Sequence, residues 1–186
     1  MTKFDNLQSS RLVLEAVSAA HAEEMYEGLR DPALYEFIPE DPPVDLPALA
    51  NRYGVLARGQ SADGTQLWLN WFLRPREGGP CIGYVQATVK PSTRHGFVAY
   101  FLLRRVWGQG YAREALGVAV EHLFERYALT YVDALIDTRN LRSIRLVESL
   151  GFARVEFIEK ADHFKGADSD EYRYRRAPPV SGASPG

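Results

Sequence analysis

The chain has 186 residues, a length that suits one domain with a sizeable core and leaves little room for a second. Hydrophobic residues make up 46% and charged residues 25%, with a mean hydropathy of -0.27, a balance typical of a soluble globular chain that excludes disorder along the whole length. A net charge of -2 without any basic run lacks the footprint of a nucleic-acid binder, so no nucleic-acid partner is expected.

Residues 11–17 read as a short strand, because Leu12 and Leu14 alternate with polar or small neighbours. Ser18 is expected to cap a helix over residues 19–30, where Ala22, Met25, Tyr26 and Leu29 recur at helical spacing until Asp31 and Pro32 stop them. Pro39, Pro42 and Pro43 break residues 35–44, and Asp45 followed by Pro47 starts a second helix reaching about Arg58. Residues 66–73 and 81–89 are strand-like runs joined into a hairpin by the turn over 76–80, and residues 96–103 form a further strand. Residues 110–127 carry the strongest helical signal: Ala112, Ala115, Leu116, Ala119, Val120, Leu123, Phe124 and Tyr127 make one apolar stripe. A strand over 131–137 follows. Asn140 caps a last helix that ends at Gly151, and residues 153–159 and 171–175 complete the strands. Residues 177–186 are rich in Pro, Gly and Ser and read as a disordered tail, so residues 1–177 form a single domain and 178–186 the tail. Antiparallel strands first and then strand, helix, strand, helix, strand imply an α/β domain with a mixed sheet and crossovers on both faces.

No apolar run approaches the roughly 20 residues that span a bilayer, and residues 1–10 are polar without a signal-type core, so no membrane association and a cytoplasmic location are expected. The single cysteine, Cys81, agrees with a reducing compartment and reads as a small strand residue. The four histidines, His21, His95, His122 and His163, lie far apart and outside any His/Cys ligand spacing, so no metal is expected.

The segment Arg105-Val-Trp107-Gly108-Gln109-Gly110-Tyr111-Ala112 lies between a strand and the long helix. Glycines two apart let the backbone turn tightly with converging N–H groups, and a helix N-terminus adds partial positive charge, so the segment suits a pyrophosphate. Farther on, Asn140-Leu-Arg-Ser143 opens a helix directly after a strand, and Leu150-Gly151-Phe152 closes it. Together Arg105-x-x-Gly108-x-Gly110 and the later N-x-x-S with L-G-F resemble the acyl-CoA loop and following helix of the GNAT acetyltransferase superfamily, and Trp107 to Ala115 is similar to its RimJ/RimL branch, which acetylates ribosomal-protein N-termini. The resemblance spans residues 11–177.

That resemblance implies a largely antiparallel sheet splayed in a V around acetyl-CoA. Tyr100, Phe101 and Leu102 would offer main-chain hydrogen bonds, beside a bulged strand, to pantetheine and the acetyl carbonyl. Arg105, Trp107, Gly108, Gln109, Gly110, Tyr111, Ala112 and Arg113 would surround the pyrophosphate, and Asn140 and Ser143 would contact the cofactor's arm. A homodimer is a further possibility the family suggests. Amine attack on a thioester needs a base for the ammonium proton and an acid for the thiolate. The family's strand glutamate is replaced by Phe97 and its helix tyrosine by Val147, which leaves open a catalytically silent acyl-CoA-binding module. Ser143 becomes the proton donor to the sulfur, and Asp162 the base, with His163 as the alternative. Asp162 falls in a segment that composition reads as an exposed loop. Trp68, Trp71, Tyr35, Phe37 and Tyr53 are candidates for an acceptor cleft, with the acidic run Glu36, Glu40, Asp41 and Asp45 nearby. The acceptor is a primary amine, either a protein N-terminus or a small molecule.

Overall fold

The computed structural model describes residues 5–179. Expectations for residues 180–186, the larger part of the tail, lie outside the described residues. One sheet of eight strands runs in the order β1-β2-β3-β4-β5-β6-β8-β7: β1 (Leu7–Gln8), β2 (Leu12–Ala16), β3 (Leu67–Pro75), β4 (Gly83–Lys90), β5 (His95–Leu102), β6 (Tyr131–Asp137), β7 (Ala153–Phe164) and β8 (Ala167–Arg176). The pairs are antiparallel except β5 with β6, which are parallel because α3 (Tyr111–Tyr127) carries the chain back between them. The other helices are α1 (His21–Leu29), α2 (Leu46–Leu56) and α4 (Leu141–Ser149). No helix among the described residues is long and apolar enough to cross a membrane.

Each helix covers the sheet with the stripe its sequence provides. On α3, Ala115, Leu116, Ala119, Val120 and Leu123 are fully buried, and they pack on the face of the sheet that carries Val85, Val89, Val98 and Val132. Alternation in β4, buried at Val85, Ala87 and Val89 and half-buried between, leaves its other face to α1 and α2.

Three expectations need correction. Helix α1 begins at His21 with no side-chain cap; instead of Ser18 capping it, the Ser18 N–H donates to His21 Nδ1 at 3.0 Å. Residues 160–166 are not a loop: β7 runs to Phe164 and turns through Lys165 and Gly166, both with positive φ, into β8. Cys81 is buried but precedes β4 rather than lying in it. The α2 start matches the expectation, with the Asp45 carboxylate accepting from Ala48 N–H at 2.7 Å.

The turn between β1 and β2 is tied to the first turn of α3 through Glu114. One carboxylate oxygen accepts from Ser9 Oγ at 2.6 Å, Ser10 Oγ at 2.9 Å and Arg11 N at 2.7 Å, and the other accepts from Arg11 Nε at 2.7 Å. Burial alone would raise the Glu114 carboxyl, but these donors outweigh it and hold the group down at about 2. A carboxyl depressed on folding stabilises the protein above its unfolded value of 4.5 and loses that contribution as pH falls toward about 2. The Glu114→Gln variant is therefore expected to be less stable at neutral pH and to lose less stability than the wild type between these two values. Denaturant unfolding across a pH series checks this, and parallel stability curves for the two proteins would refute it.

Candidate functional site

Strand β5 has two unequal edges. It pairs with β4 along its whole length, from His95↔Lys90 to Leu102↔Gly83. With β6 it pairs only at His95↔Tyr131, Gly96↔Val132 and Phe97↔Asp133. Beyond these, β6 stays with β8 through Asp137↔Glu171, and β5 leaves it. The β5 main chain from Val98 to Leu102 thus has one edge without a ladder partner, in a setting where backbone groups need one. The expected bulge is absent: the register with β4 is unbroken, and the free edge comes from divergence alone.

The glycine segment closes the wide end of this gap. After Leu103 a single 3-10 turn (Arg104–Val106) brings Trp107 round so that its indole N–H donates to the Leu102 carbonyl at 2.8 Å. Gly108 (φ 76°) and Gly110 (φ 79°) are left-handed, a conformation that other residues resist, and a Cβ on Gly108 would point into open space. Gly110 is the N-cap of α3 and supplies no capping side chain, so the first N–H groups of the helix, at Tyr111, Ala112 and Arg113, are left for an outside acceptor. The loop is braced from the side. Arg11 Nη1 donates to the Gln109 carbonyl at 3.0 Å and stacks on Tyr111, and the Arg142 guanidinium lies 4.0 Å over the Trp107 ring. Gln109 folds back to the Arg105 carbonyl, and Arg105 and Arg113 are exposed.

Helix α4 forms the opposite wall. The Asn140 side-chain oxygen accepts from Ser143 N–H at 3.1 Å, so half of that amide serves as the cap and only its NH2 is left for a ligand. The Ser143 hydroxyl makes no hydrogen bond among the described residues, while its carbonyl accepts from Tyr100 Oη at 3.4 Å across the gap. Tyr100 is half-buried, and that burial pushes its phenol up to about 12 despite the Ser143 bond. Val147 is fully buried in the core and presents nothing to the gap.

On the other face of β5 lies a cavity of about 230 Å³ beneath the segment that joins the 3-10 turn (Pro32–Tyr35) to α2. Ala99, Tyr100 and Phe101 contribute to its lining, so the unpaired strand edge and the cavity meet at the same three residues. Phe101 stacks on Tyr84 at 5.3 Å and tilts against Tyr35 at 5.4 Å. The cavity roof is held by Lys165, whose ammonium donates to the carbonyls of Tyr35 at 2.8 Å and Ile38 at 2.7 Å. Of the residues named for the acceptor cleft, Tyr35, Tyr53, Glu40 and Asp41 line this cavity. Trp68 lines a neighbouring depression with Phe97 and Leu135, and Phe37 lines neither. Trp71 is fully buried, its indole N–H on the Asp5 carbonyl, and Asp45 is spent on capping α2.

Asp162 stands on β7 opposite Ser169, just past an irregularity between Ile158 and Asp162. It is half-buried and accepts from the His163 N–H at 2.7 Å. Ser169 in turn donates to Asp137, at the end of β6, at 2.7 Å. His163 faces outward and pairs with Asp168. Sequence reasoning missed Glu171, which pairs with Asp137 across the sheet. Its carboxyl is raised, first by burial and then by the charges of Asp162 and Asp137, against a weaker opposing effect of Arg173. Glu171 sits in a charged, unremarkable run, so only the strand pairing reveals it.

Glu15, His21 and Cys81, distant in sequence, bring potential metal-ligating atoms within 4.8 Å of one another. They are already engaged: Glu15 is held by Arg74 at 2.7 Å and contacts His21, His21 Nδ1 accepts from Ser18, and burial pushes the Cys81 thiol up to about 12. A metal there would have to displace Arg74 and deprotonate a buried thiol.

Comparison with known proteins agrees with this geometry. Residues 11–153 match the sequence profile of the acetyltransferase (GNAT) domain. The Bacillus subtilis protein YkkB is 33% identical over 104 residues, covering 55% of this chain and 59% of its own length; the match thus spans little more than half of that relative. The fold superposes on a ribosomal-protein-S5-alanine acetyltransferase from Vibrio fischeri with a TM-score of 0.82 at 17% identity, over 97% of this chain and 100% of the other. It also superposes on a spermidine N-acetyltransferase from Vibrio cholerae, solved with CoA and spermine, with a TM-score of 0.78 at 16% identity, over 90% and 96%. A profile match over most of the chain, on a sheet that parts where a cofactor amide chain would enter, means that the protein belongs to the GNAT acetyltransferase family.

Proposed function

We propose that the protein transfers the acetyl group of acetyl-CoA directly to a primary amine. The observation that supports this reading is the meeting of the free β5 edge and the cavity at Ala99–Phe101, where a thioester entering from one side would be within reach of an amine entering from the other. Pantetheine would pair with the main chain of Tyr100, Phe101 and Leu102, and the pyrophosphate would receive the N–H groups around Gly108 to Arg113. The C–N bond forms as the C–S bond breaks. The amine gives up its proton toward Asp162, directly or through a water, and the CoA thiolate is protonated through the Ser143 hydroxyl, which takes a replacement proton from solvent as it gives up its own. Asp137, Asp162 and Glu171 gather carboxylates at one end of the gap, where they favour an incoming ammonium; Asp137 is held charged, against its burial, by Arg139 and Ser169, and Glu171 is the member whose carboxyl is raised.

Three variants test these assignments. Gly110→Asp, which adds a carboxylate beside the pyrophosphate and a Cβ at a left-handed position, is expected to abolish acetyl-CoA binding in a folded protein; unchanged affinity by calorimetric titration would overturn the loop assignment. Ser143→Ala should lower kcat more than it weakens acetyl-CoA binding, since a thiolate donor acts in the transition state. An unaltered kcat with chemistry rate-limiting would remove Ser143 from the mechanism. Asp162→Asn should lower kcat by a factor on the order of 100 at neutral pH, with partial recovery at higher pH as the free amine deprotonates in bulk water. A raised KM at constant kcat that fades in high salt would instead mark Asp162 as an attractor of cations. If none of a broad panel of amines releases thiol from acetyl-CoA, the protein is a binding module and the transfer reading falls.

A further inference from the structure

Resting on the transfer reading, we infer that the acceptor is a primary amine carried on an aromatic or similarly apolar body about the size of a phenylalkyl group, and that polyamines are poor acceptors. The cavity beside Ala99–Phe101 has the volume for this: a void of about 150 Å³ accommodates a benzene ring, and about 230 Å³ leaves room for a short linker as well. Its walls match a ring. Tyr35, Tyr84 and Phe101 form one stacked and tilted aromatic surface, and Leu49 and Leu56 face it from α2.

Charge decides against a second ammonium. The only carboxylates among the described residues lining the cavity are Glu40 and Asp41, both exposed, and Arg52 stands with them as a cation. The buried polar groups in the lining are neutral. Asn70 is occupied by Gln86, whose amide donates to it at 3.0 Å, and the Tyr53 hydroxyl, in a residue 4% exposed, has no hydrogen-bond partner among the described residues. A chain of ammonium groups threaded here would be desolvated without a buried counter-charge, whereas an aromatic body loses only apolar contact with water. The carboxylates near Asp162 lie on β6, β7 and β8, outside the cavity lining, and serve the reacting amine alone.

The test is a comparison of kcat/KM for phenethylamine, a peptide with an N-terminal phenylalanine, a peptide with an N-terminal alanine, and spermidine, on the full chain with acetyl-CoA. One or both aromatic acceptors are expected to exceed spermidine and the alanine peptide by at least about tenfold, the scale at which apolar pockets discriminate. The ratio of phenethylamine to phenylalanine peptide tells a free amine from a protein N-terminus. Preference for spermidine or the alanine peptide overturns the inference while leaving acetyl transfer intact. The exposed Ala48 lines the cavity from α2, so Ala48→Trp fills it without disturbing the core; it should raise KM for the aromatic acceptor about tenfold or more and leave acetyl-CoA affinity unchanged. An unchanged KM in this variant also overturns the inference. Calorimetric titration with phenethylamine separates the two readings: binding that Ala48→Trp weakens, without any acetylation, supports the cavity assignment and refutes transfer, whereas neither binding nor acetylation refutes the aromatic acceptor.

Discussion

Three residue pairs join the two halves of the sheet. His95, Gly96 and Phe97 on β5 meet Tyr131, Val132 and Asp133 on β6, and past them the strands separate while each remains paired on its far side. Packing and charge both concentrate at this seam. A Cβ on Gly96 would come 2.8 Å from the Leu129 side chain, just ahead of β6, and 3.3 Å from that of Val132, so any larger residue here would have to push these two aside. Asp133, fully buried, receives Arg175 through two bonds of 2.7 Å, with His95 at 3.1 Å. A buried carboxylate is tolerated only with such partners, and removing one would leave a charge stranded at the hinge. Because Arg175 belongs to β8 and Asp133 also pairs with Phe97, the same bond that neutralises Asp133 ties β8 to the last point at which β6 meets β5.

From this seam the division of the site follows. The unpaired edge of β5 looks toward α3 and α4, where an uncapped helix N-terminus and two left-handed glycines gather N–H groups. The opposite face of the same strand carries the aromatic cavity. Neither half is supported locally. The loop is held by Arg11 and Glu114, which lie 103 positions apart, and the cavity roof by Lys165 on the tip of the β7–β8 hairpin. Lys165 occupies a left-handed position where glycine or asparagine would be easier, at φ 52°. The strain is offset by the carbonyls it gathers, and a glycine there would relax the turn but release the roof.

What the sequence made legible was periodic or punctuated. The α3 stripe buries where the spacing predicts, Gly108 and Gly110 adopt the conformation that glycine alone takes easily, and Asn140 and Asp45 cap the helices they precede. Strands over 153–159 and 171–175 were expected, but the far end of the β7–β8 hairpin, residues 160–170, escaped because β7 is an edge strand exposed on both faces, with no apolar alternation to display. Its turn was equally silent, since Lys-Gly is not among the pairs that favour two left-handed residues. That misreading placed Asp162 in a loop when it stands on a strand. Lys165, Glu114 and Glu171 were missed for one shared reason: each acts through a partner far away in the chain, and charged side chains in isolation read as solvated surface.

The carboxylates show how one fold assigns different chemistry to one residue type. Glu24, gripped by Arg74, and Glu114, ringed by Ser9, Arg11 and Ser10, are both held at about 2 and so are charged at neutral pH, where each ties distant segments together. Glu171 lies in the opposite situation, half-buried beside Asp162 and Asp137, with its carboxyl raised rather than lowered. Asp137 beside it is held down, against its burial, by Arg139 and Ser169, so within this group Glu171 is the carboxyl that burial and neighbouring charge push up. A guanidinium beside a glutamate holds it charged, and a second carboxylate beside it raises its affinity for a proton. The strut at Glu114 stands behind the glycine loop and the raised Glu171 stands beside the opening between β5 and β6, so the electrostatic sorting of the glutamates follows the two sides of the gap.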